Sequence, residues 1–383
     1  MLGERHAVLP QVPHAARDRH RAAIMPRVRL VRRYRAGVAP ARSYSRIAGL
    51  SILGVLIVAV VGGWLLATPS DDYVLLPDDP HPADAVVSVG GVKPRISSDG
   101  SGIYYLDVLV HRASLPESWI ARFEDGADIL PAAALVPPGG SQSDLDRVDH
   151  LTFQDSRTVA GVVALRALGR KVTVEPTGVT FDGVESSAPA VRAGLRPGMI
   201  ITAIDDVPVL QVSALRTQLD GRKVGSPVHL TVRNGTKTLE LHTRLTRDPQ
   251  ARDHAIIGVL GVHDAPPKAK LPVTVTITPR GLGRGPSAGL AFTLEVYDAL
   301  SGHRLARGRK IAVTGTINLA GRVGPIGGVR QKVLGAVRRH ADLVLVPDAN
   351  AADARAAADG RVKVVAVTTF HEALAALGAT PEA

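Results

Sequence analysis

Residues 285–300 read GPSAGLAFTLEVYDAL, a short glycine-rich loop that leads directly into an apolar run. The run Leu290–Leu300 predicts a helix, and the apolar segment Leu271–Thr278 before the loop predicts a strand. A second strand is predicted over Ile311–Ile317, and the segment 321–332, GRVGPIGGVRQK, leads from it into another helix. Strands that alternate with helices across glycine-rich loops predict a mixed α+β domain in this part of the chain.

Ser287 is a candidate nucleophile because it lies where the predicted helix begins. Unpaired backbone N–H groups and the positive end of the helix dipole favour developing negative charge at such a position. Gly285 allows a substrate backbone to approach closely, so Gly285 and Ala288 are expected to line the oxyanion and substrate loop. Pro286 suits the entry to a helix, where a backbone N–H would be unsatisfied.

A serine hydroxyl is a weak nucleophile and needs a base, for which Lys332 is the candidate. A lysine with its ordinary pKa of about 10.4 is neutral in only about 1 molecule in 2,500 at pH 7. Burial can lower that pKa by about 3 units, and the residues around Lys332 are largely apolar, with no acidic residue close in sequence. A surface lysine and a simple turn serine remain the alternatives on these residues alone.

The same stretch also has to be compared with two nucleotide-binding patterns. Residues 283–288 fit G-x-G-x-x-A between a strand and a helix, but Pro286 removes an amide that would face a pyrophosphate. The strand Ile311–Ile317 ends without the acidic residue that would bind a ribose. The sequence contains no G-x-x-x-x-G-K-[ST] motif, which excludes a P-loop in these residues.

Composition and charge exclude further classes of protein. The 383 residues include no cysteine, which excludes disulfides and thiolate metal sites, and the scattered histidines form no metal-binding motif. The net charge is +11, but residues 1–46 contain eleven arginines and two acidic residues, so 11 − 2 = +9 lies there and 11 − 9 = +2 in the remainder. A basic segment on a near-neutral body does not predict nucleic-acid binding.

Residues 47–67, IAGLSILGVLIVAVVGGWLLA, carry no charged side chain. As a helix this run is roughly 31 Å long, enough to cross the hydrocarbon core of a bilayer. Arginines precede it and two aspartates follow it, so the positive-inside rule predicts a cytoplasmic tail over 1–46, a linker over 68–82 and an extracytoplasmic body. A cleaved signal peptide or a buried helix is the alternative, although the run is longer than a signal peptide requires. Translation starts at Met1 or at Met25; the sequence leaves both open.

Residues 172–246 contain short apolar runs separated by turn residues, the pattern of a small, mostly β domain. Within them, residues 190–204 read AVRAGLRPGMIITAI, and the Asn-Gly pair at 234–235 predicts a hairpin. This pattern resembles the PDZ family, whose members bind peptides as a strand added to a sheet edge. The resemblance implies an amide cradle for a peptide at Gly178 and Val179.

The segment GPSAG at 285–289, the Thr314-Gly pair and the glycine-rich segment that ends at Lys332 are similar to the proteolytic domain of the Lon protease family. The similarity is strongest to the membrane-anchored, PDZ-containing, Lon-like members. It implies that Ser287 is the nucleophile, that Lys332 is its general base, and that Thr314 hydrogen-bonds the lysine amine. ATP-dependent members have glutamate where Thr316 stands, so this position receives no role.

The similarity extends to an earlier part of the chain. A helix is predicted over 143–168, and its residues 153–156, FQDS, resemble a segment that precedes the nucleophile loop in Lon proteolytic domains. We therefore expect a split proteolytic domain with its first part at 83–170, the PDZ domain inserted at 171–247, and the second part at 248–379. The expected fold class is α+β: a Lon-type proteolytic domain and a mostly β PDZ domain, preceded by one transmembrane helix.

The resemblance implies a function as well as a fold. We expect an ATP-independent, membrane-anchored serine endopeptidase that cleaves unfolded or loosened polypeptides presented by the PDZ domain. Polypeptides and the membrane are the expected partners, without nucleic acid, cofactor or metal. Lon proteolytic domains assemble as rings, so a homo-oligomer is implied. A non-catalytic, membrane-anchored PDZ scaffold is the alternative function.

Overall fold

The computed structural model describes residues 42–92, 100–124, 126–131, 142–249, 254–278 and 285–379, with the side chains of 42–50, 65, 67, 142–147 and 149–154 outside the described set. The chain divides into two compact units, Met1–Ala59 and Val60–Ala383. All described strands, and all described helices but the first, lie in the second unit.

The described helices are α1 (Arg42–Ala67), α2 (Leu115–Ile120), α3 (Gln142–Ala167), α4 (Pro189–Arg192), α5 (Val212–Leu219), α6 (Gly289–Ser301), α7 (Val329–Arg338), α8 (Ala351–Ala358) and α9 (Phe370–Ala376). The strands up to the PDZ-like region are β1 (Pro69–Pro77), β2 (His81–Pro82), β3 (Val87–Val89), β4 (Gly102–Tyr105), β5 (Val108–Ser114) and β6 (Asp128–Pro131). The next are β7 (Thr173–Glu175), β8 (Val179–Thr180), β9 (Gly183–Val184), β10 (Ile200–Ile204), β11 (Val207–Pro208), β12 (Pro227–Asn234), β13 (Lys237–Arg244), β14 (Thr246–Arg247), β15 (Ala255–Ile256), β16 (Val259–Leu260), β17 (His263–Asp264) and β18 (Lys268–Lys270). The last are β19 (Val275–Ile277), β20 (Lys310–Val313), β21 (Thr316–Ile317), β22 (Val323–Gly324), β23 (Leu343–Pro347) and β24 (Lys363–Val367).

Helix α1 contains the uncharged run 47–67. Its side chains are described from Ser51 onward, apart from residues 65 and 67. Within the described residues, no helix has both the length and the apolar character needed to span a membrane. The transmembrane helix therefore stays a prediction from sequence.

A five-stranded sheet in the order β2-β4-β20-β23-β24 carries the C-terminal helices, and its last four strands are parallel. Alternate residues of β20 and β23 belong to two different hydrophobic cores, one on each face of the sheet. The residues that pack with α3 and α6 are Ile311, Val313, Leu343 and Leu345. The residues that pack with α7 and α8 are Ala312, Val344 and Val346. Helices therefore cover both faces of the sheet, which explains why its strands read as continuous apolar runs.

Helix α3 packs against α6 in the same core as the central sheet. Val159, Ala160 and Val163 of α3 are buried together with Leu290 and Leu294 of α6. A side chain on Gly161 would stand 2.6 Å from Leu271 Cδ1, so the close approach of this helix requires glycine there. A proteolytic domain split by the PDZ-like region requires α3 to pack against α6, as it does here. The boundaries of the two parts of that domain remain predictions.

A second core belongs to the PDZ-like region. Its sheet has the order β13-β12-β10-β8-β17, with β11 paired to β10. Strands β12 and β13 form the predicted hairpin, in which Asn234 pairs with Lys237 and Gly235 has a φ of +62°. The core itself is formed by buried aliphatic side chains and one phenylalanine, including Val179, Phe181, Ile201, Ile204, Leu230 and Val232.

Residues beyond the predicted domain end at 247 also belong to this core. Ala255 and Ile257 are buried in the second core, and β16 and β17 pair with β9 and β8 of the same region. Residues 255–264 therefore complete the PDZ-like sheet rather than resuming the proteolytic domain. Their partners lie far away in sequence, so the local pattern carried no sign of the pairing.

Three predicted strands are interrupted in the structure. The run Ile103–Val110 is divided between β4 and β5, which belong to different sheets, because the chain bends at Leu106 and Asp107. The run Ile311–Ile317 is divided into β20 and β21, and only Val275–Ile277 of Leu271–Thr278 is a strand. The first two interruptions place polar residues at the end of the parallel sheet.

Candidate active site

Two polar residues follow neighbouring parallel strands at the carboxyl end of the central sheet. Thr314 follows β20, and Asp107 follows β4 after Leu106. Clefts at this end of a parallel sheet are common binding sites, because the loops that leave the strands meet there. Ser287 and Lys332 both belong to segments that reach this edge.

Ser287 lies in a single 3-10 turn, Pro286–Ala288, that leads into α6. The carbonyl oxygen of Ser287 accepts two hydrogen bonds, from the Gly315 N–H at 2.7 Å and from the Thr314 hydroxyl at 3.2 Å. The segment after β20 thus fixes the backbone of the candidate nucleophile, while its side chain remains partly exposed.

Gly315 holds the turn from the other side as well. Its carbonyl oxygen accepts a hydrogen bond from the Leu290 N–H at 3.0 Å, so Gly315 is bonded on both sides of the Ser287 turn. A Cβ atom on Gly315 would stand 3.0 Å from Val323 Cγ1 and 3.3 Å from Leu290 Cδ2. Such contacts leave no room for a side chain, which accounts for glycine at this position.

Lys332 lies at the end of the first turn of α7 and is buried, with 2% of its surface exposed. Burial lowers the pKa of its amine to about 8, and the nearby Asp107 carboxylate acts in the opposite direction. With a pKa of about 8, about one amine in ten is neutral at pH 7, against about 1 in 2,500 for an exposed lysine. This position gives the amine the environment of a general base.

Thr314 has a different contact from the one implied by resemblance. Its hydroxyl donates to the Ser287 carbonyl, and its side chain is fully buried. Among the described residues, no hydrogen bond joins Lys332 Nζ to Thr314 or to Ser287 Oγ. The threonine therefore positions the nucleophile turn rather than holding the lysine, because its hydroxyl points toward that turn.

Gly285 and Ala288 occupy different environments. Gly285 is exposed and extended, with φ −76° and ψ 165°, and no atom of the described residues lies within 4 Å of the place a Cβ would take. Ala288 is buried with α6 in the first core, so any contact with a substrate must come from its backbone. The open side of the loop therefore lies at Gly285, where a substrate backbone can approach.

The peptide cradle expected at Gly178 and Val179 is wrong in position. The Gly178 N–H already donates to the Leu210 carbonyl at 3.2 Å, and the Gly178 carbonyl accepts from the Ala265 N–H at 2.9 Å. Val179 is fully buried on β8, which is paired with β10 on one side and β17 on the other. No edge of β8 is therefore open to a peptide, because β17 occupies it.

Asp107 was missed by sequence reasoning. It follows a strand far upstream of Lys332, and only the pairing of β4 with β20 brings the two segments together. The only signal in the sequence was a single aspartate inside the apolar run 103–110. Across the described residues there is no group of three or more His, Asp and Glu side chains placed to hold a metal ion.

Comparison with known proteins agrees with the two regions of the fold. Residues 274–377 match the family model described as the Lon protease (S16) C-terminal proteolytic domain, and residues 148–245 match that of the PDZ domain. The chain is 43% identical over 93 residues to Lon protease 2 of Herpetosiphon aurantiacus, covering 24% of this chain and 11% of that protein. It is 38% identical over 90 residues to Lon protease 2 of Bacillus subtilis, covering 24% of this chain and 16% of that protein.

The chain thus spans only a small part of the length of these curated relatives. Among solved structures, the PDZ domain of an SdrC-like protein from Listeria innocua is 28% identical, with 22% of this chain and 91% of that domain covered and a TM-score of 0.20. The family matches confirm the resemblance to Lon and PDZ proteins and leave membrane anchoring untested. The chain therefore has one region similar to PDZ domains, over residues 148–245, and one similar to Lon proteolytic domains, over residues 274–377.

Proposed function

We propose that this protein is an ATP-independent serine endopeptidase in which Ser287 is the nucleophile and Lys332 the general base. The observation that carries the proposal is the burial of Lys332, whose pKa is lowered to about 8, in the first turn of α7, within the region that also contains Ser287 and matches the Lon proteolytic domain. A buried lysine without such a role is costly, since burial penalises its charged form by several kcal/mol.

The proposed reaction uses one proton carrier. The neutral Lys332 amine takes the proton of Ser287 Oγ while Oγ bonds to the scissile carbonyl carbon. The resulting ammonium returns that proton to the leaving amine as the peptide C–N bond breaks. A water molecule then repeats the sequence on the acyl-enzyme and releases the second product. The proposed oxyanion donor is the backbone N–H of Ala288 in the turn before α6, since the N–H groups of Gly289 and Leu290 already donate to the Pro286 and Gly315 carbonyls.

The proposed mechanism requires Ser287 Oγ and Lys332 Nζ to come within hydrogen-bond distance. Catalytic hydrogen bonds are often long or absent before substrate binds and shorten in the complex. The partly exposed Ser287 side chain is free to change rotamer, because the bonds from Thr314 and Gly315 hold its backbone and not its hydroxyl.

We place the peptide-binding edge of the PDZ domain at β17. This strand is the last in its sheet, pairs with β8 alone among the described strands, and its two residues, His263 and Asp264, are exposed. Strand addition needs unpaired backbone N–H and C=O groups, which an edge strand offers. The proposed ligands are extended segments of unfolded or loosened polypeptides, because a compact fold offers no such strand.

We further propose that residues 47–67 anchor the protein in the cell membrane, with residues 1–46 cytoplasmic and the PDZ and proteolytic domains outside. Support comes from the uncharged run, from the arginines before it, and from its helical conformation within α1. A homo-oligomeric ring is proposed on the resemblance to Lon proteolytic domains. Sucrose-gradient flotation with membranes and the mass of the detergent-solubilised assembly test these two points.

The proposed activity is tested with the full chain in detergent micelles and a fluorescently labelled, unfolded casein substrate, without nucleotide. Ser287→Ala and Lys332→Met are expected to reduce cleavage at least about a thousandfold, because the nucleophile or its base is lost. Ser301→Ala, in the last turn of α6, and Lys363→Met, on an exposed edge of the sheet, are the matched controls.

Retention of activity in Ser287→Ala or Lys332→Met would exclude the dyad. A wild-type chain that binds unfolded polypeptide but neither cleaves it nor reacts with a serine-directed fluorophosphonate would instead support the PDZ scaffold as its function.

A further inference from the structure

Asp107 occupies a fixed bend between β4 and β5. The Leu106 N–H before it donates to the Val313 carbonyl at 3.2 Å, which ties the bend to the end of β20. The Val108 N–H after it donates to Asp107 Oδ1 at 2.8 Å. Both bonds restrict the carboxylate to one side of the bend, at the edge of the sheet where Thr314 also lies.

The two neighbours of Asp107 contact the helix that carries Lys332. Leu106 is buried in the same core as Val329 and Val333 of α7. Val108 lies against Gly328, the residue that caps α7, where a Cβ atom would stand only 2.8 Å from Val108 Cγ1. Gly328 has a φ of +64°, so glycine is favoured there on both counts. The bend is therefore packed directly on the first turn of α7.

Among the described residues, few charged side chains act on Asp107 and Lys332. The Asp107 carboxylate raises the pKa of Lys332 against the effect of burial, and burial raises the pKa of Asp107 itself. Asp78, between β1 and β2, and His81, on β2, also act on Asp107, and they have opposite effects on its pKa. Their side chains are joined, with 3.0 Å between His81 Nε2 and Asp78 Oδ2. Asp107 is thus the acidic group that acts on the lysine amine.

We propose that Asp107 is a positioning residue that acts through Lys332, stabilising the ammonium that forms when the lysine amine takes the Ser287 proton. This inference rests on the proposed function of the two residues. The proton moves from Ser287 Oγ to Lys332 Nζ and then to the leaving amine, while Asp107 stays ionised and exchanges no proton. A carboxylate near the base favours the transition state, in which the base is charged, over the ground state, in which it is neutral.

The inference predicts two linked effects of Asp107→Asn on cleavage by the full chain. The acidic limb of the pH profile of kcat/KM shifts about 1 pH unit lower, because the lysine amine loses a stabilising charge. The plateau above that limb falls about tenfold, because the ammonium is stabilised less in the transition state. Asp348→Asn, an exposed aspartate after the neighbouring strand β23, is the matched control and should change neither.

A structural role alone would lower the plateau and leave the limb in place, and that result would overturn the inference. Circular dichroism and thermal melting confirm that the variant folds. If it does not fold, the wild-type chain labelled with ¹³C at lysine Cε provides the test, with Lys332→Met to assign the signal. The Lys332 signal is then expected to show a second, smaller shift at acidic pH as Asp107 takes up a proton, and a single transition would overturn the inference.

The nuclear magnetic resonance measurement also separates the two proposals. Coupled titration of Lys332 and Asp107 in a chain without Ser287-dependent cleavage would support the contact and refute the peptidase. Ser287-dependent cleavage together with a single Lys332 transition would support the peptidase and refute the role of Asp107.

Discussion

At the scale of the residue, the feature that needs explanation is a lysine amine buried at the end of a sheet. Lys332 is 2% exposed, and among the described residues no ion pair within 4 Å compensates its charge. Natural domains are stable by only about 5–15 kcal/mol, so a buried cation is a substantial cost. Such a cost is understandable where a neutral amine is required for chemistry, and strongly shifted groups are frequent at functional sites.

The cost of burying Lys332 should appear as a pH-dependent stability. The unfolded amine keeps its proton up to about pH 10, whereas the folded one loses it near pH 8, so the free energy of unfolding rises with pH between these values. Lys332→Met removes this dependence. We expect its effect on the free energy of unfolding to be more stabilising at pH 7 than at pH 10.5 by about 3 kcal/mol.

Chemical denaturation at both pH values measures this difference. Lys363→Met, at an exposed lysine, should show no comparable change. An equal effect of Lys332→Met at the two pH values would mean that the amine is not perturbed by burial.

At the scale of the element, the turn that carries Ser287 depends on one glycine of a neighbouring segment. Gly315→Ala places a methyl group against Val323 and Leu290 and displaces the two backbone bonds to the turn. We expect it to lower the free energy of unfolding by about 1–3 kcal/mol and to reduce peptide cleavage at least about tenfold. Gly327→Ala is the control, because the Cβ position of Gly327 has no atom within 4 Å in the part of the chain that the structure describes.

Differential scanning calorimetry and the casein assay measure these two effects. If Gly315→Ala melts and cleaves like the wild-type chain, the contact between this segment and the nucleophile turn is not needed.

Helix α3 carries a second pH-dependent group, Asp155. Burial raises the pKa of Asp155 to about 6, while His263 lowers it and Asp264, both on β17, raises it. Because the unfolded carboxyl ionises near pH 4, the cost of this ionisation is present above about pH 6 and absent below about pH 4. Asp155→Asn should therefore stabilise the chain by about 2 kcal/mol at pH 7 and by almost nothing at pH 3.5.

Urea titrations at the two pH values test this expectation, with the acidic measurement as the internal control. Destabilisation at pH 7 would mean that the ionised carboxylate stabilises the folded chain.

The sequence patterns predicted single helices and strands better than contacts between distant parts of the chain. The helices around Ser287 and Lys332 were predicted within a few residues, because apolar periodicity and glycine loops are local signals. The bend at Asp107 was not predicted, since it depends on a hydrogen bond from Leu106 to the Val313 carbonyl in a distant strand. The covered edge of β8 was missed for the same reason, because β17 supplies its partner.

At the scale of the whole molecule, the core around the central sheet is assembled from two separated parts of the chain. Helix α3 precedes the PDZ-like region, yet it covers α6 in the core of the C-terminal sheet. Strand β4, which also precedes that region, pairs with β20 inside the central sheet. The residues after the PDZ-like region therefore do not contain a complete core.

A fragment of residues 248–383 should consequently fail to fold. It lacks β4, and it exposes the apolar face of α6 that Val159, Ala160 and Val163 cover. We expect a broad, non-cooperative melting curve and rapid digestion by trypsin, whereas the full chain in detergent melts cooperatively. A fragment that folds cooperatively and cleaves casein would show that the domain is continuous rather than split.

The proposed function depends on Lys332 acting as the base for Ser287, and the rate at which a fluorophosphonate probe phosphonylates Ser287, with loss of fluoride, measures this most directly. In the full chain, the rate should rise with pH and follow a single ionisation near pH 8, the pKa of the buried amine. Lys332→Met should lower the rate at least about a thousandfold at every pH, with Lys363→Met unchanged. Phosphonylation that is independent of pH between 6 and 10, or that persists in Lys332→Met, would contradict this role of Lys332.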